Sequence, residues 1–384
     1  MGNIANRALG RVMAWRLRLL LVGLLMSVEM RASAEEQGRP DQLVFSVRTW
    51  EGEYSTRDIP GGVESTPVTS AAIYTVQVDG TGLTQIASPG KNADAPRFTP
   101  DGQWIYFQSN ATGAHRIYRV SASAGPDDKS QVVIDPTRID PQFSQAYGNS
   151  FGRDGRLLFA VAGNDGARIG LANQDGSEPR LIAPNLGYLY MTALSPSGDA
   201  IVSSGPASGY RLRLIRLADE SAIDLTPLHP DSYAPQFTPD GRTIIFVRRD
   251  GDVYRVDTDG TNLRRLTEGN RYVEFRLSPR DAHGSTDGPE ISPDGTMVGY
   301  IALRDGVPAV CLMNVDGSEQ RTVVSRKTPC GRFRWSPDGT RIAFVSFVGR
   351  YPQLFIANRD GTGIRQVTDV EGAVGFPQWR PASR

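Results

Sequence analysis

The chain has 384 residues, and its 42 basic and 42 acidic side chains give a formal net charge of zero. A chain of this length can bury a large hydrophobic core. Because neither sign of charge dominates, the composition argues against nucleic acid as a partner. The 41 glycines and 26 prolines indicate frequent turns.

The first 34 residues have the pattern of a secretory signal peptide. Four arginines precede the apolar run Leu19–Met26, and the small-x-small sequence Ala32-Ser33-Ala34 follows it. An uncleaved membrane anchor is the alternative, but the apolar run is short for a helix that spans a bilayer. Cleavage would remove five arginines and one glutamate and leave a net charge of −4. The sequence therefore predicts an exported protein that has no stable membrane span after the signal is removed.

Export affects the interpretation of the two cysteines, Cys311 and Cys330. Outside the cytoplasm they can form a disulfide that closes a loop of about 20 residues, worth roughly 3 kcal/mol. Two free, buried thiols are the alternative. The sequence alone leaves both arrangements open.

A turn tripeptide recurs along the chain at intervals of 43 to 54 residues. A large apolar residue stands two positions before each turn. A period in the low forties with occasional insertions indicates a tandem array of one supersecondary unit. The tripeptides are Pro100-Asp101-Gly102, Arg153-Asp154-Gly155, Pro196-Ser197-Gly198, Pro239-Asp240-Gly241, Pro293-Asp294-Gly295 and Pro337-Asp338-Gly339, and the apolar anchors are Phe98, Phe151, Leu194, Phe237, Ile291 and Trp335.

Each unit contains four short strands. In the unit around Pro239, a β-rich run over Ile244–Phe246 follows the turn, and a second alternating run covers Val253–Val256. An Asp-Gly turn at Asp259-Gly260 then leads into a last strand over Leu263–Thr267. Four antiparallel strands in about 43 residues are typical of a propeller blade, which must pack on neighbouring blades to bury both faces.

The two ends of the chain complete one blade. Leu43–Val47, Ile73–Val78 and Thr81–Ile86 are predicted as second, third and fourth strands, and their first strand is missing. Gly375–Pro381 has the pattern of a first strand with no successor. Pairing the two removes exposed sheet edges. The sequence thus predicts an all-β, seven-bladed β-propeller of four-stranded antiparallel blades over residues 43–384, with the first blade closed by the C-terminal strand; six or eight blades are the alternative.

The repeat resembles that of a known family. The pattern Pro-x-Phe/Trp-Ser/Thr-Pro-Asp-Gly, an apolar strand, a second Asp-Gly turn and Leu-Thr is similar to the propeller repeat of TolB-like proteins, which are WD-like propellers of the bacterial periplasm. The resemblance covers about residues 42–381, and the short polar segment 35–42 precedes it. It extends to the propeller part only, because TolB carries an α/β domain ahead of its propeller. It implies a monomeric periplasmic protein that binds another protein of the periplasm or envelope, or an envelope glycan.

The sequence shows no constellation that predicts catalysis. Gly148–Gly152 matches G-x-S-x-G, but a repeat turn and a strand follow it where a nucleophile elbow needs a helix. The three histidines, His115, His229 and His283, are not spaced as metal pairs. The run Asp257–Asn262 resembles part of a calcium loop but lacks the glycine that such a loop has at its sixth position, so the turn of the repeat explains it better. We therefore predict a non-enzymatic binding or scaffold protein with no catalytic residues, metal or cofactor; a carbohydrate-active enzyme, a lyase or hydrolase with an axial active site, is the alternative.

Residues for a partner are expected at the end of the ring opposite the tight turns. The longer loops fall there, and loops on a rigid frame commonly carry binding residues. Tyr147, Tyr190 and Tyr233 stand four residues before the anchors of three consecutive blades and are predicted to form an arc at the channel entrance. Packing between adjacent blades is the alternative for these tyrosines. The predicted rim of the arc lies in the longest insertion between blades and consists of Arg271, Tyr272 and His283. Solvated side chains without a binding role are the alternative for these residues.

Overall fold

The computed structural model describes residues 41–52, 56–59, 62–65, 68–87, 93–125, 128–187, 189, 191–270 and 288–382. The predicted signal peptide 1–34 and most of segment 35–42 lie outside the described residues. The described part of the chain contains three short 3-10 helices, Pro136–Arg138, Pro184–Leu186 and Pro206–Ser208. No helix among these residues has the length and apolar character needed to cross a bilayer.

The remaining regular structure is β-sheet. In chain order the strands are β1 (Gln42–Thr49), β2 (Thr56–Ile59), β3 (Gly62–Ser65), β4 (Ser70–Gln77), β5 (Thr84–Ala87), β6 (Asp94–Phe98), β7 (Trp104–Ser109), β8 (Arg116–Ser121), β9 (Gln131–Ile134), β10 (Phe143–Phe151), β11 (Leu157–Gly163), β12 (Gly166–Ala172), β13 (Arg180–Ile182), β14 (Met191–Leu194), β15 (Ala200–Ser204), β16 (Arg213–Arg216), β17 (Ala222–Asp224), β18 (Ser232–Phe237), β19 (Thr243–Arg248), β20 (Val253–Asp257), β21 (Arg264–Arg265), β22 (Glu290–Ile291), β23 (Met297–Arg304), β24 (Val307–Asn314), β25 (Arg321–Val324), β26 (Cys330–Trp335), β27 (Arg341–Val348), β28 (Tyr351–Asn358), β29 (Arg365–Gln366) and β30 (Ala373–Trp379).

These strands form seven four-stranded antiparallel sheets, which are the blades of a β-propeller. Blade 1 has the order β30-β1-β4-β5, and blades 2 to 7 are β6–β9, β10–β13, β14–β17, β18–β21, β22–β25 and β26–β29. The hairpin β2–β3 is an insertion between the second and third strands of blade 1. The predicted seven blades are confirmed.

Blade 1 joins the two ends of the chain. Strand β1 pairs antiparallel with β30, so that Leu43 lies opposite Trp379 and Val47 opposite Val374. On its other side β1 pairs with β4. This confirms the predicted closure by the C-terminal strand and removes two sheet edges that would otherwise be open to aggregation.

The hydrophobic core is divided among the blade boundaries. Among the described residues there are seven buried clusters, and each draws its side chains from two neighbouring blades. At the closing boundary, Phe45 and Trp379 of blade 1 pack with Phe347 and Leu354 of blade 7. Alternating apolar residues on both faces of each sheet produce this arrangement, because a radial blade contacts a neighbour on each side.

The repeated Ser/Thr-Pro-Asp-Gly sequence builds the turn between the first and second strands. In blade 5 the Thr238 hydroxyl accepts a hydrogen bond from the Thr243 amide at 3.1 Å and donates one to Asp240 at 2.6 Å. Gly241 has a φ of 72°, a conformation that glycine adopts without the usual steric cost. The same bonds recur in blades 2, 6 and 7, so the sequence repeat is a repeat of turn chemistry.

The two cysteines form no disulfide in this fold. Cys311 and Cys330 are free and buried. Cys311 lies in the cluster between blades 5 and 6, and Cys330 lies in the cluster between blades 6 and 7. The sheet of blade 6 therefore separates the two thiols, whereas a disulfide needs Cβ atoms about 4 Å apart. Of the two arrangements that the sequence left open, the structure contains the free thiols. The possible disulfide between Cys311 and Cys330 is not formed in it.

Candidate functional site at the loop end of the channel

In five blades the innermost strand contains a β-bulge at the same position of the repeat. At this position, three residues before the apolar anchor, the backbone has a positive φ and the pairing register with the second strand shifts. Such bulges bend an edge strand and redirect its side chains, and they are common beside functional sites. The five residues are Ala95, Gly148, Ala234, Arg332 and Phe376.

Two of these bulges place large side chains in adjacent blades. Arg332 of blade 7 has a φ of 53° and Phe376 of blade 1 has a φ of 51°, in the left-handed region that non-glycine residues seldom adopt. The Arg332 guanidinium lies 3.8 Å from the centroid of the Phe376 ring, and the Arg48 guanidinium lies 5.7 Å from it. Both distances allow cation–π attraction.

An ion pair connects this group to blade 2. The guanidinium of Arg48 bonds to the carboxylate of Asp94, whose side chain is 6% exposed. The Ser46 hydroxyl donates a second hydrogen bond to this carboxylate at 3.0 Å. Arg48 is the more exposed partner, at 27%. Asp94 is thus paired and hydrogen-bonded, as a buried charge must be to avoid a large desolvation cost.

The predicted tyrosine Tyr147 lies within strand β10 and is half-buried. Its ring lies 5.3 Å from the ring of His115, which belongs to blade 2, and its hydroxyl donates to Gln145. His115 Nδ1 is also 3.1 Å from Gln145 Oε1. Tyr147 therefore contacts the preceding blade, as the packing alternative for these tyrosines describes, while part of it remains exposed.

Tyr233 has an equivalent environment in blade 5. Its ring lies 5.0 Å from that of Tyr210 in blade 4, and its hydroxyl donates to Asp231 at 3.0 Å. Burial, together with this hydrogen bond to an anionic acceptor, raises the pKa of Tyr233 to about 12. The phenol therefore stays neutral under physiological conditions.

The other predicted residues, Tyr190, Arg271, Tyr272 and His283, lie outside the described residues. In the part of the chain that the structure describes, no group of three or more His, Cys, Asp or Glu side chains is arranged to hold a metal ion. The G-x-S-x-G sequence lies at the end of β10 and leads through a turn into β11. That strand–turn–strand context is not the one a nucleophile elbow requires.

The group formed by Arg48, Asp94, Arg332 and Phe376 was not predicted from the sequence. One signal was available for Asp94, because it occupies the repeat position of Tyr147 and Tyr233, four residues before its anchor Phe98. The repeat position is thus charged in blade 2 and aromatic in the three consecutive blades that follow it.

Comparison with known proteins identifies relatives of the repeat. No family model matches the chain. A protein of Agrobacterium fabrum described as uncharacterised is 26% identical over 248 residues, which cover 60% of this chain and 75% of that protein. The Tol-Pal system protein TolB of Francisella tularensis is 25% identical over 234 residues, 58% of this chain and 48% of TolB. The chain thus matches about half the length of this TolB.

Solved structures show the same fold at lower identity. TolB from Acinetobacter baumannii superimposes with a TM-score of 0.53 at 18% identity, covering 89% of this chain and 67% of that one. An oligogalacturonate lyase from Vibrio parahaemolyticus also has a TM-score of 0.53, at 13% identity, covering 82% of this chain and 85% of the lyase. The fold therefore occurs in proteins of different function and does not by itself define an activity.

The sheets, their closure and the channel define the class of this protein as a seven-bladed β-propeller. Within that class, its repeat is similar in sequence to that of TolB and its fold is similar to that of a TolB structure, which confirms the predicted TolB-like propeller.

Proposed function

We propose that this propeller is an exported, monomeric binding protein of the periplasm that engages a protein of the cell envelope through its loop end. Residues 1–34 act as the cleaved signal. The similarity to TolB, a protein of the Tol-Pal system, supports a role in the envelope.

The observation that carries the proposal is the Arg332–Phe376 contact. Left-handed backbone at non-glycine residues costs of order 1–3 kcal/mol each, and such strain is concentrated at functional sites. Here four blades carry it at the same repeat position, and in two adjacent blades the residue is large and half-exposed, as Arg332 and Phe376 are. Arginine and aromatic residues also dominate the binding energy of protein interfaces. Tyr147 and Tyr233 extend this surface to blades 3 and 5.

The experiment is affinity capture from periplasmic extract, with the bound proteins identified by mass spectrometry. The captured protein is then titrated against purified variants Arg332→Ala, Phe376→Ala and the pair Tyr147→Ala with Tyr233→Ala. Each is expected to weaken binding by about tenfold, the effect of removing a moderate hot spot. Arg242→Ala, an exposed arginine in a tight turn at the opposite end, is the matched control and is expected to bind normally.

Thermal unfolding of each variant distinguishes lost contacts from lost folding. A partner that binds all loop-end variants as well as the parent protein refutes the site. Capture of soluble envelope glycan, or turnover of a polysaccharide by the purified protein, would instead support the glycan-binding or carbohydrate-active alternative.

A further inference from the structure

The insertion in blade 1 forms a sheet of its own. Strands β2 and β3 pair antiparallel, from Thr56 with Ser65 to Ile59 with Gly62. Within the described part of the chain, no third strand pairs with either side of this hairpin. It therefore has two open edges, and each presents backbone N–H and C=O groups that can pair with another strand.

A hairpin of this size has little stability by itself. An isolated two-stranded sheet is at best marginally stable in water and needs a third strand or the packing of a hydrophobic face. The two strands contain only two large apolar residues, Ile59 and Val63, which is too little for a hydrophobic face. A third strand is therefore the remaining source of stability, and an extended polypeptide supplies the matching row of backbone groups.

The blades do not share this deficit. The outermost strand of each blade is also an open edge, but three other strands of the same sheet support it. In blades 5 and 7 the outermost strands, β21 and β29, are only two residues long, and short strands make poor templates for pairing. Of the eight sheets in the described residues, only the hairpin has two strands.

The stem of the insertion begins beside the candidate partner site. The amide of Thr69 donates a hydrogen bond to the carbonyl of Thr49 at 2.8 Å and closes the stem one residue after Arg48. The Arg48 guanidinium lies 5.7 Å from the centroid of the Phe376 ring. The hairpin is thus continuous in the chain with the loop-end group that contains Phe376.

The stem also contacts blade 7. The ring of Trp50 lies 5.3 Å from the ring of Tyr351 in an edge-on arrangement. Arg350 donates a hydrogen bond to the carbonyl of Gly52. Since blade 7 also carries Arg332, the stem and the Arg332 contact lie at the same blade boundary. A partner bound at that boundary has the hairpin beside it.

We propose that an extended segment of the partner protein pairs with an edge of this hairpin as a third strand. The inference rests on the proposed function, because the segment belongs to the envelope protein that binds the loop end. Main-chain hydrogen bonds to the hairpin supply affinity, and alternate side chains of the segment supply specificity. Arg332 and Phe376 contact the rest of the partner.

The first test removes the hairpin. The partner captured on the parent protein is purified and titrated against a variant in which residues 56–65 are replaced by a Gly-Ser linker of equal length. Binding is expected to weaken by at least about tenfold, the effect of losing several main-chain hydrogen bonds. The thermal unfolding midpoint should not change, because the hairpin lies outside the four strands of blade 1. Arg57→Ala and Glu64→Ala keep the backbone and are the matched controls, expected to bind within about twofold of the parent.

The second test addresses the backbone of the partner. Synthetic peptides that cover the captured protein are screened for binding, and the peptide that binds is N-methylated at one residue at a time. Each methyl group removes a backbone donor and leaves the side chain in place. Losses of at least about fivefold are expected at alternate residues, because every second residue of a strand directs its N–H to the same edge.

Four results would overturn the inference. A linker variant that binds as the parent does, while Arg332→Ala weakens binding, would remove the hairpin and leave the proposed function intact. Losses in Arg57→Ala and Glu64→Ala equal to that of the linker variant, or no effect of N-methylation, would mean that side chains hold the partner. Hairpin amides that exchange as slowly as those of β4 in the free protein would mean that the chain itself already covers the edge. Capture of no protein would overturn the proposed function and this inference together.

Discussion

The indole nitrogen of Trp379 donates a hydrogen bond to the backbone carbonyl of Arg334 at 3.1 Å. Trp379 belongs to the C-terminal strand of blade 1 and Arg334 to the innermost strand of blade 7. Trp335 makes the equivalent bond to the carbonyl of Glu290 in blade 6, also at 3.1 Å. One tryptophan position of the repeat thus joins neighbouring innermost strands, and at Trp379 the same bond joins the closing strand β30 to blade 7.

We predict that Trp379→Ala lowers the free energy of unfolding by about 3–5 kcal/mol, the usual range for truncating a buried aromatic side chain. The side chain is 6% exposed and packs at the closing boundary. Trp379→Phe retains most of the packing and loses the hydrogen bond, so it is expected to cost about 1 kcal/mol. Urea unfolding followed by circular dichroism measures both values.

The corresponding control is Trp335→Phe, which removes the same bond within the ring. Equal losses for the two phenylalanine variants are expected if the closing boundary is as well formed as the others. A Trp379→Ala variant with the stability of the parent protein would contradict closure through β30.

Arg48 and Asp94 form an ion pair but differ in burial, so we predict that replacing one destabilises the protein more than replacing the other. Arg48→Ala leaves the buried Asp94 carboxylate without its cation, whereas Asp94→Asn leaves a guanidinium that is 27% exposed and can be hydrated. We therefore expect Arg48→Ala to be the more destabilising change, by about 1–3 kcal/mol, the cost of an unsatisfied buried group. Urea unfolding of the two single variants and of the double variant gives the coupling energy.

In the double variant, replacement of both charged partners should recover part of the loss caused by Arg48→Ala. If Asp94→Asn destabilises the protein more than Arg48→Ala does, the burial argument fails. The Arg255–Asp257 pair, which is partly exposed on both sides, serves as a comparison and is expected to contribute less than 1 kcal/mol.

Much of the fold could be predicted because its determinants are local. Asp-Gly turns, apolar anchors and alternating strands each act over a few residues, and their common phase defines the blade. The closing of blade 1 was also predictable, since the first strand absent near Leu43 is the one in excess near Trp379. The hairpin β2–β3 was not predicted, because its sequence shows no alternation that distinguishes it from a loop.

The bulges of the candidate site could not be predicted from the same signals. Of the five residues at that position only Gly148 is of a type that favours positive φ, while Arg332 and Phe376 disfavour it. Their conformation is imposed by the tertiary structure. The pairing of Arg48 with Asp94, 46 residues away on another blade, likewise depends on the geometry of the ring.

The cysteines give a prediction that distinguishes free thiols from a disulfide. Burial raises the pKa of Cys330 to about 11 and also raises that of Cys311, so both are protonated and inaccessible at neutral pH. We expect the native protein to react negligibly with a thiol reagent. In denaturant without reductant, two thiols per chain should react. If the unfolded chain shows reactive thiols only after reduction, the cysteines are paired and the arrangement of blade 6 described above is wrong.

The turn carboxylates predict loss of stability in acid. Hydrogen bonds from a neighbouring Ser or Thr hydroxyl and, at most of these turns, from a backbone amide hold their pKa values below the ordinary 3.8 in the folded chain. A lowered pKa stabilises the fold above the unfolded value, and this contribution disappears as the pH falls through the folded value. The residues concerned are Asp79, Asp175, Asp199, Asp219, Asp240, Asp259, Asp294, Asp316 and Asp360.

The measurement is the unfolding midpoint in urea as the pH is lowered from neutral to below 3.8. The midpoint should be constant near neutrality and should fall once the pH drops below that value. Asp240→Asn, which cannot titrate, is expected to be less stable than the parent at neutral pH and to lose less on acidification. An identical decline in both proteins would mean that Asp240 has no shifted pKa.

For Tyr233 we predict that the stability of the fold decreases as the pH rises, opposite to the acid-induced loss at the turn carboxylates. Its pKa of about 12 lies above the ordinary 10.0, so the folded state favours the neutral phenol. The resulting stability is complete below the unfolded value and is lost as the pH rises from 10 toward 12. Tyr233→Phe should therefore reduce the alkaline loss of stability, although Tyr300, whose pKa is also raised to about 12 by burial, preserves part of it.

Asp231→Asn separates the two causes of the shift at Tyr233. Because the carboxylate that accepts a hydrogen bond from the phenol also repels the phenolate, its removal should lower the Tyr233 pKa, whereas burial of the ring against Tyr210 is unchanged. Titration of phenolate absorbance in the parent, Asp231→Asn and Tyr233→Phe proteins identifies the contribution of this one tyrosine. If Asp231→Asn leaves the titration unchanged, the contact between Asp231 and Tyr233 is absent in solution, and the loop end of blades 4 and 5 has a different arrangement.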